Sequence, residues 1–200
     1  MLAVTLNLKE KSIVVVGGGK IAARKIQSLL AEGARVKVIS PEIIAVIENL
    51  VLKGEVEWIQ RDFKASDVHQ AFLVIAATNN RQVNAFVAKS CTENQLINIV
   101  DDPTNSSFHF NAIVKRGLLT IAVSTGGASP IVAKQIRDDI AQIYDEQYEQ
   151  YMQFLLKARA TILQADMSME ESNLLLRKLA EPQLRESVKL QQQFLENITR

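Results

Sequence analysis

The sequence has little of several features that mark particular classes of protein. Its 200 residues include one cysteine, Cys91, so an internal disulfide is excluded and no CxxC pair is present to hold a metal. Cys91 falls in a predicted helix, where we expect an inert, small apolar side chain. The formal net charge is only +1. This small charge argues against nucleic acid as the main partner, because nucleic-acid-binding proteins carry a strongly basic surface.

Long apolar runs and a secretion signal are also lacking. No stretch of about 18 consecutive apolar residues occurs, so neither a membrane-spanning helix nor a membrane partner is predicted. The first residues, MLAVTLNLKEKS, show no basic segment followed by a long apolar stretch. A cytoplasmic protein is therefore expected. His69 and His109 have no neighbouring ligands at metal-binding spacing, so no metal site is predicted.

Short apolar runs alternate with helical patterns through the first half of the chain. The runs at residues 12–16, 36–39, 56–59, 72–76 and 96–100 predict strands, and residues 20–32, 41–53 and 80–94 predict helices between them. The first helix would bury Ile21, Ile26, Leu29 and Leu30 on one stripe. This alternation predicts an α/β fold with a doubly wound parallel sheet.

The pattern changes after residue 101. Residues 108–114 and 118–124 predict two strands joined by a tight turn, and residues 130–164, 169–180 and 182–197 predict helices. The pattern therefore predicts three parts, over residues 1–112, 113–143 and 144–200, the last of them helical. The plain interpretation of the last part is a packed helical appendage or an oligomer surface.

A glycine-rich loop, VVVGGGKIAARK, lies between the first strand and the first helix. Its Gly17-x-Gly19-x-x-Ala22 pattern is weak alone but here has the strand, turn and helix of a Rossmann-like dinucleotide site. Gly17 would permit the tight turn, Gly19 would let backbone approach a pyrophosphate, and Ala22 would allow close helix packing. Lys20 and Ile21 open the helix whose free amides favour a phosphate. The alternative is a glycine-rich turn without a ligand.

The second predicted strand ends in VISPE. An acid that holds the adenosine ribose is expected there, but Ser40 occupies the place and Pro41 follows. A hydroxyl can meet a ribose oxygen without repelling a 2'-phosphate, so the loop leaves NAD and NADP both open. A methyl donor or a flavin is a further alternative. Two acids, Asp101 and Asp102, end the fifth strand in INIVDDP, and both fit a turn-forming role.

Together, VVVGGGKIAARK, VISPE, FLVIAATNN, INIVDDP and LLTIAVSTGGASPIVAKQIRDDI resemble the precorrin-2 dehydrogenase family of siroheme synthesis over about residues 5–143. The resemblance implies oxidation of the tetrapyrrole precorrin-2 to sirohydrochlorin, with NAD as cofactor, in a homodimer. It also implies a nucleotide-binding domain over residues 1–112, a dimerisation segment over residues 113–143 and a helical domain over residues 144–200. Some members of the family also insert ferrous iron at the same site. That second activity and a non-catalytic NAD-sensing module are the alternatives.

The resemblance also assigns residues. Asp101 matches the family's acid/base aspartate, so it is the expected general base, while Asp102 keeps the turn role. Thr78 and Asn79 lie where the family covers its nucleotide. The family usually has acids after that threonine, and here both following residues are asparagine, which puts the detailed contact in question.

A second glycine pair lies in STGGASPIVAK. Ser129 suits a helix N-cap, Pro130 suits the first turn, and the glycines would leave amides open to an anion. Because precorrin-2 carries eight acidic side arms, a substrate-binding role is expected for Ser124, Thr125, Gly126, Gly127 and Ser129. Lys115, Arg116, Lys134 and Arg137 are possible partners of the same carboxylates. A purely structural cap is the alternative.

Overall fold

A computed structural model describes residues 2–198 of the chain. The chain forms two compact units, Met1–Phe110 and Asn111–Arg200. Among the described residues, no helix is both long enough and apolar enough to cross a bilayer.

The first unit contains a five-stranded parallel sheet. Its elements are β1 (Ser12–Val16), α1 (Lys20–Leu30), β2 (Arg35–Ile39), α2 (Ala45–Leu52), β3 (Val56–Ile59), a 3-10 helix (Ala65–Val68), β4 (Leu73–Ala76), α3 (Arg81–Ser90) and β5 (Leu96–Ile99). The strand order is β3-β2-β1-β4-β5, with every neighbouring pair parallel. The doubly wound α/β fold predicted from the sequence is confirmed.

The central strands are buried on both faces, as their nearly continuous apolar sequences predict. Alternate residues of β1 enter different cores: Ile13 and Val15 pack with α1, whereas Val14 and Val16 pack with the α3 side. Each fully buried side chain of this size contributes about 1.5–3 kcal/mol of transfer free energy. The two cores therefore fix the strand register and hold the carboxyl ends of the strands at one edge.

The segment before α2 differs from the prediction. A helix over residues 41–53 was expected, but α2 begins at Ala45. The hydroxyl of Ser40 donates to the carbonyl of Glu42 at 2.7 Å, and the backbone N–H of Ile44 donates to the carbonyl of Gly18 at 3.0 Å. These bonds hold the segment as a loop against the glycine turn, so a helix cannot start at the proline.

The first turn of α1 also differs from the prediction. Ile26 and Leu29 are buried as expected, but Ile21 is 48% exposed. It lies above the carboxyl edge of the sheet, beyond the reach of the core, because α1 starts at the strand end and only its later turns pack on the sheet. The prediction that Ile21 belongs to the buried stripe is wrong.

The second unit begins with an antiparallel hairpin of β6 (Ala112–Arg116) and β7 (Leu119–Val123). Gly117 takes a left-handed φ of +55° at the turn, which explains the glycine between the two runs. The hairpin is confirmed, but its first strand starts at Ala112 and not at residue 108. The preceding residues instead follow β5, where the amide of Asn98 donates to the carbonyl of Phe108 at 3.0 Å.

Five helices complete the described part of the chain: α4 (Pro130–Ile143), α5 (Gln147–Gln164), α6 (Met169–Lys178), α7 (Pro182–Glu186) and α8 (Val188–Ile198). The single helix predicted over residues 130–164 is therefore two. It breaks because Asp145 accepts the N–H of Gln147 with its own carboxylate at 3.0 Å and starts a new helix. Ser187 likewise separates the last two helices by accepting the N–H of Leu190.

Lys25 provides a test of the packing of the first unit. Its Nζ lies 3.7 Å from the centroid of the Phe110 ring. Burial, and secondarily the charge of Arg24, lowers the pKa of Lys25 to about 8. Between this value and the unfolded value of about 10.4 the unfolded chain binds more protons, so stability should rise with pH.

We expect Lys25→Met to remove the rise in stability between pH 7 and pH 9. Denaturation followed by the fluorescence of Trp58, the single tryptophan and a residue of the first unit, measures it. Measurements stop at pH 9 because burial raises the pKa of Cys91 to about 11, which acts with the opposite sign at higher pH. Equal slopes in wild type and variant would refute this account.

Candidate functional site

A cleft of about 800 Å³ opens at the carboxyl ends of the strands. It lies where the strand order reverses, between β1 and β4, which is where open α/β sheets bind ligands. It is lined by Val16, Gly17, Gly18, Gly19, Lys20, Ile21, Ile39, Ser40, Pro41, Glu42, Ile43, Ile44, Asp62, Phe63, Ala77, Thr78, Asn79, Asn80 and Val83.

The three glycines of the first loop have different surroundings. A Cβ on Gly17 would overlap the carbonyl of Ala77, and the φ of Gly17 is +117°. A Cβ on Gly18 would overlap the carbonyl of Glu42 and approach the Cα of Ile43 to 2.9 Å. A Cβ on Gly19 would meet nothing within 4 Å. Gly17 and Gly18 are therefore required by packing, whereas Gly19 leaves room for a ligand.

Helix α1 presents its amino terminus at this loop. Gly19 is its N-cap residue, no side chain caps it, and its first turn contains no acid. Free first-turn N–H groups and the helix dipole favour an anion such as a pyrophosphate. The loop therefore suits a dinucleotide, because the first turn of α1 has no side-chain cap and its N-cap residue, Gly19, carries no Cβ.

The end of β2 forms the other part of the cleft wall. Ser40 is 9% exposed, and its carbonyl accepts the indole N–H of Trp58 at 2.9 Å. Because the Ser40 hydroxyl donates to Glu42, its oxygen can accept a hydrogen bond from a ribose hydroxyl. The ionisable side chains that line the cleft within the described chain are Lys20, Glu42 and Asp62.

Arg61, which follows β3, is engaged elsewhere. Its guanidinium donates two hydrogen bonds to Asp67, at 2.6 and 2.8 Å. This pair lowers the pKa of Asp67, mainly through the side-chain hydrogen bond from Arg61. The cation nearest in sequence to Asp62 is therefore held by a carboxylate of the protein.

Asp101 is joined to the loop after β4 by a buried asparagine. Asn84 donates from Nδ2 to Asp101 Oδ1 at 2.8 Å and to the carbonyl of Thr78 at 3.1 Å. The Oδ1 atom of Asn84 accepts the Thr78 hydroxyl at 2.8 Å and the Thr78 N–H at 3.1 Å. Arg81 places its Nε 3.4 Å from Asp101 Oδ2. The carboxylate therefore lies beside the Thr78 wall of the cleft and is not among the lining residues.

Asp102 has the turn role that the sequence predicts. It accepts the N–H of Asn105 at 3.2 Å and the side-chain amide of Asn105 at 2.6 Å. These bonds lower the pKa of Asp102, the side-chain bond most. The loop then returns along β5, where the hydroxyls of Ser106 and Ser107 accept the N–H groups of Ile99 and Ile97, both at 2.8 Å.

The second glycine loop lies in the second unit and is closed by its own side chains. Ser129 caps α4 by accepting the N–H of Val132 at 3.2 Å. Thr125 donates to the carbonyl of Ser129 at 3.0 Å and accepts its N–H at 3.2 Å. Gly126 and Gly127 have φ of +62° and +89°, and a Cβ on either would meet nothing within 4 Å. The capping role is thus present, and the open glycines are free to face a ligand.

The structure brings eight of the nine predicted cofactor residues to one cleft: Gly17, Gly19, Lys20, Ile21, Ser40, Pro41, Thr78 and Asn79. Ala22 is fully buried in the core instead, where it permits the close helix packing expected of it. Sequence reasoning missed Asn84. The available signal was a polar residue on the apolar side of α3, next to Val83 and before Val87.

The histidines show no constellation of metal ligands. His109 Nε2 donates to the carbonyl of Pro103 at 3.0 Å. Over residues 2–198, the structure contains no group of three or more His, Cys, Asp or Glu side chains that could hold a metal ion.

Comparison with known proteins adds to this geometry. A family model described as "Putative NAD(P)-binding" matches residues 4–112. Models described as "Sirohaem biosynthesis protein central" and "SirC C-terminal domain" match residues 116–143 and 148–194. The first match covers more than half of the chain, so the unit with the glycine loop is an NAD(P)-binding domain.

Whole proteins match as well. The chain is 36% identical over 198 residues to a precorrin-2 dehydrogenase of Priestia megaterium, covering 99% of this chain and 98% of that protein. It is 35% identical over 145 residues to a precorrin-2 dehydrogenase of Bacillus subtilis (strain 168), covering 72% and 90%. The solved structure of SirC, a precorrin-2 dehydrogenase, matches with a TM-score of 0.89 at 36% identity, covering 100% of this chain and 99% of that one.

Longer relatives match over a part of their length. The chain is 39% identical over 140 residues to a siroheme synthase of Actinobacillus pleuropneumoniae serotype 3 (strain JL03). That match covers 70% of this chain and 29% of the siroheme synthase, so this chain spans less than a third of that relative.

Proposed function

The chain belongs to the precorrin-2 dehydrogenase family, and from this premise we propose that it oxidises precorrin-2 to sirohydrochlorin with NAD as the hydride acceptor. The observation that carries the proposal is the link from the nucleotide cleft to Asp101. Thr78 lines the cleft, Asn84 binds Thr78, and Asn84 donates to the Asp101 carboxylate at 2.8 Å. A base is thereby held beside a dinucleotide site.

The charges of the cleft support NAD over NADP. Glu42 and Asp62 line the wall near Ser40, where the adenosine ribose is expected. A 2'-phosphate there would meet two negative side chains, and Arg61 is already paired with Asp67. The Ser40 oxygen, by contrast, can accept from a ribose hydroxyl at no electrostatic cost.

We propose Asp101 as the general base. Oxidation of the macrocycle removes one hydride and one proton. A bound NAD would supply the hydride acceptor. The Asp101 carboxylate takes the proton and passes it to water. The N–H of Asn84 and the guanidinium of Arg81 face the two carboxylate oxygens and hold the carboxylate in place.

The loop of residues 124–129 is the proposed site for substrate carboxylates. Ser124, Thr125 and Ser129 shape the loop through bonds to its own backbone. Gly126 and Gly127 leave its outer side without a Cβ. Backbone amides at the start of a 14-residue helix suit an acidic side arm of precorrin-2.

We expect Gly127→Val to raise the KM for precorrin-2 about tenfold, since one hydrogen bond to a charged group contributes about 1.5–3 kcal/mol. The KM for NAD should stay within about twofold. Gly54→Val is the matched control, because Gly54 also has a left-handed φ, +72°, and open space around its Cβ position. Steady-state kinetics with each substrate varied decide the matter, and an unchanged KM for precorrin-2 would remove the loop from the substrate site.

A homodimer is also proposed. Within residues 2–198, β6 and β7 pair only with each other, so both outer edges of their sheet lack a partner strand. Exposed apolar side chains occur on the same unit, among them Ile113, Ile131 and Ile143. In this proposal the chain consists of a nucleotide-binding domain (1–112), a dimerisation segment (113–143) and a helical domain (144–200). Analytical ultracentrifugation tests it, and a monomer at micromolar concentration would refute it.

One assay separates this function from its alternatives. The purified protein is incubated with precorrin-2 and NAD, sirohydrochlorin is followed by absorbance, and ferrous iron or cobalt is then added. Oxidation without faster metal insertion indicates a dehydrogenase alone, and faster insertion indicates a second, ferrochelatase activity. NAD binding without oxidation would favour the sensing module and refute the proposal. The cytoplasmic location expected from the sequence stays a prediction.

A further inference from the structure

Asn84 is a buried polar residue on a helix face that otherwise carries apolar side chains. It is 1% exposed, and it lies between Val83 and Val87, which pack in the core beneath α3. A buried amide is costly unless its donors and acceptor are satisfied. Asn84 meets that condition entirely through Thr78 and Asp101.

The orientation of the Asn84 amide is fixed by backbone groups. Oδ1 must face the N–H of Thr78, which can only donate, and Nδ2 must face the carbonyl of Thr78, which can only accept. A flipped amide would oppose like groups at both places. The group that faces Asp101 is therefore the second N–H of Asn84 Nδ2, and this nitrogen lies 2.8 Å from Asp101 Oδ1.

We propose that Asn84 is a positioning residue that holds the Asp101 carboxylate at a fixed distance from the nucleotide loop. The inference rests on the proposed function, since it gives Asn84 a role in the reaction only if Asp101 is the base. Three of its four hydrogen bonds clamp Thr78, a wall of the cleft, and the fourth fixes Asp101. One planar amide thus sets the separation between the cofactor wall and the base.

The isosteric variant Asn84→Asp tests the proposed contact, although it also turns an oxygen toward the carbonyl of Thr78. Its Oδ1 can still accept from Thr78, but an oxygen replaces the N–H that faces Asp101 Oδ1. Two carboxylates at this distance repel each other or share a proton, and either outcome impairs Asp101 as a base. We expect kcat to fall about 100-fold, because a misplacement of about 1 Å costs roughly that factor. The protein should still bind NAD.

Two comparisons distinguish positioning from structure. Val87→Ala removes buried volume from the same face of α3 without touching Asp101. It should lower the melting temperature but leave kcat within about twofold. In an Asp101→Ala background, Asn84→Asp should cause no further loss, because a residue that acts through Asp101 has nothing left to position. An equal loss in both backgrounds would overturn the proposal.

A spectroscopic measurement tests the hydrogen bond from Asn84 to Asp101 without using turnover. In a ¹⁵N–¹H spectrum, the side-chain NH₂ signal of Asn84, assigned by its absence in Asn84→Asp, should shift when Asp101 is replaced by Ala. It should stay in place in Asp102→Ala. If the chemical shift of the Asn84 side-chain NH₂ group is unchanged in Asp101→Ala, the positioning role is overturned even if the enzyme is active. A signal that responds to Asp101 in a protein that does not oxidise precorrin-2 shows instead that the proposed function has failed.

Discussion

Asp101→Asn is expected to reduce turnover of precorrin-2 by at least about 100-fold while leaving NAD binding within about twofold. A positioned general base contributes about 10²–10⁴-fold to a reaction that removes a proton. The replacement is isosteric, and its amide oxygen can still accept from Asn84 Nδ2, so the loop geometry should persist. Steady-state oxidation of precorrin-2 and titration of NAD against Trp58 fluorescence measure the two quantities.

Asp102→Asn is the matched control for this prediction. Asp102 is the neighbouring acid, but both of its carboxylate oxygens bind Asn105 and hold the turn. Its replacement should lower the stability of the loop and retain most of the turnover. Full activity in Asp101→Asn would exclude Asp101 as the base, and a similar loss in both variants would show that the turn and not the carboxylate matters.

Gly19→Val is expected to weaken NAD binding at least about 100-fold without lowering the melting temperature. A Cβ at Gly19 meets no protein atom within 4 Å and the residue does not have a left-handed φ, so the fold should tolerate the side chain. The added methyl groups would instead occupy the space in front of the α1 amides. Each lost hydrogen bond to a phosphate removes about 1.5–3 kcal/mol of binding free energy. Calorimetric titration and thermal denaturation measure the two effects.

Gly17→Ala, in contrast, should lower the melting temperature of the protein. Its Cβ would overlap the carbonyl of Ala77, and its φ of +117° is strained for any side chain. The backbone strain alone costs about 1–3 kcal/mol, so a clear fall in melting temperature is expected.

Undiminished NAD binding by Gly19→Val would mean that the pyrophosphate does not approach this turn, and the assignment of the cleft would fail with it.

The amino-acid sequence alone gave a good account of the sheet. The apolar runs predicted every strand of the first unit to within one residue, because a strand covered on both faces must be apolar at successive positions. Helix ends were predicted less well. The start of α2 and the break between α4 and α5 depend on a few individual hydrogen bonds, among them those from Ile44 to Gly18 and from Gln147 to Asp145. Such bonds leave no periodic signal.

The candidate site shows the same division. The sequence by itself determined the doubly wound fold, the glycine turn at the first strand end and the acids after the fifth strand, because apolar periodicity and turn chemistry are local properties. Only the tertiary structure decided that the protein leaves no space for a side chain at Gly18 but leaves space at Gly19. It also decided that Asn84 links Thr78 to Asp101. Those facts depend on which strand ends and helices approach one another, and residues 78, 84 and 101 meet only after the crossovers bring β4, α3 and β5 together.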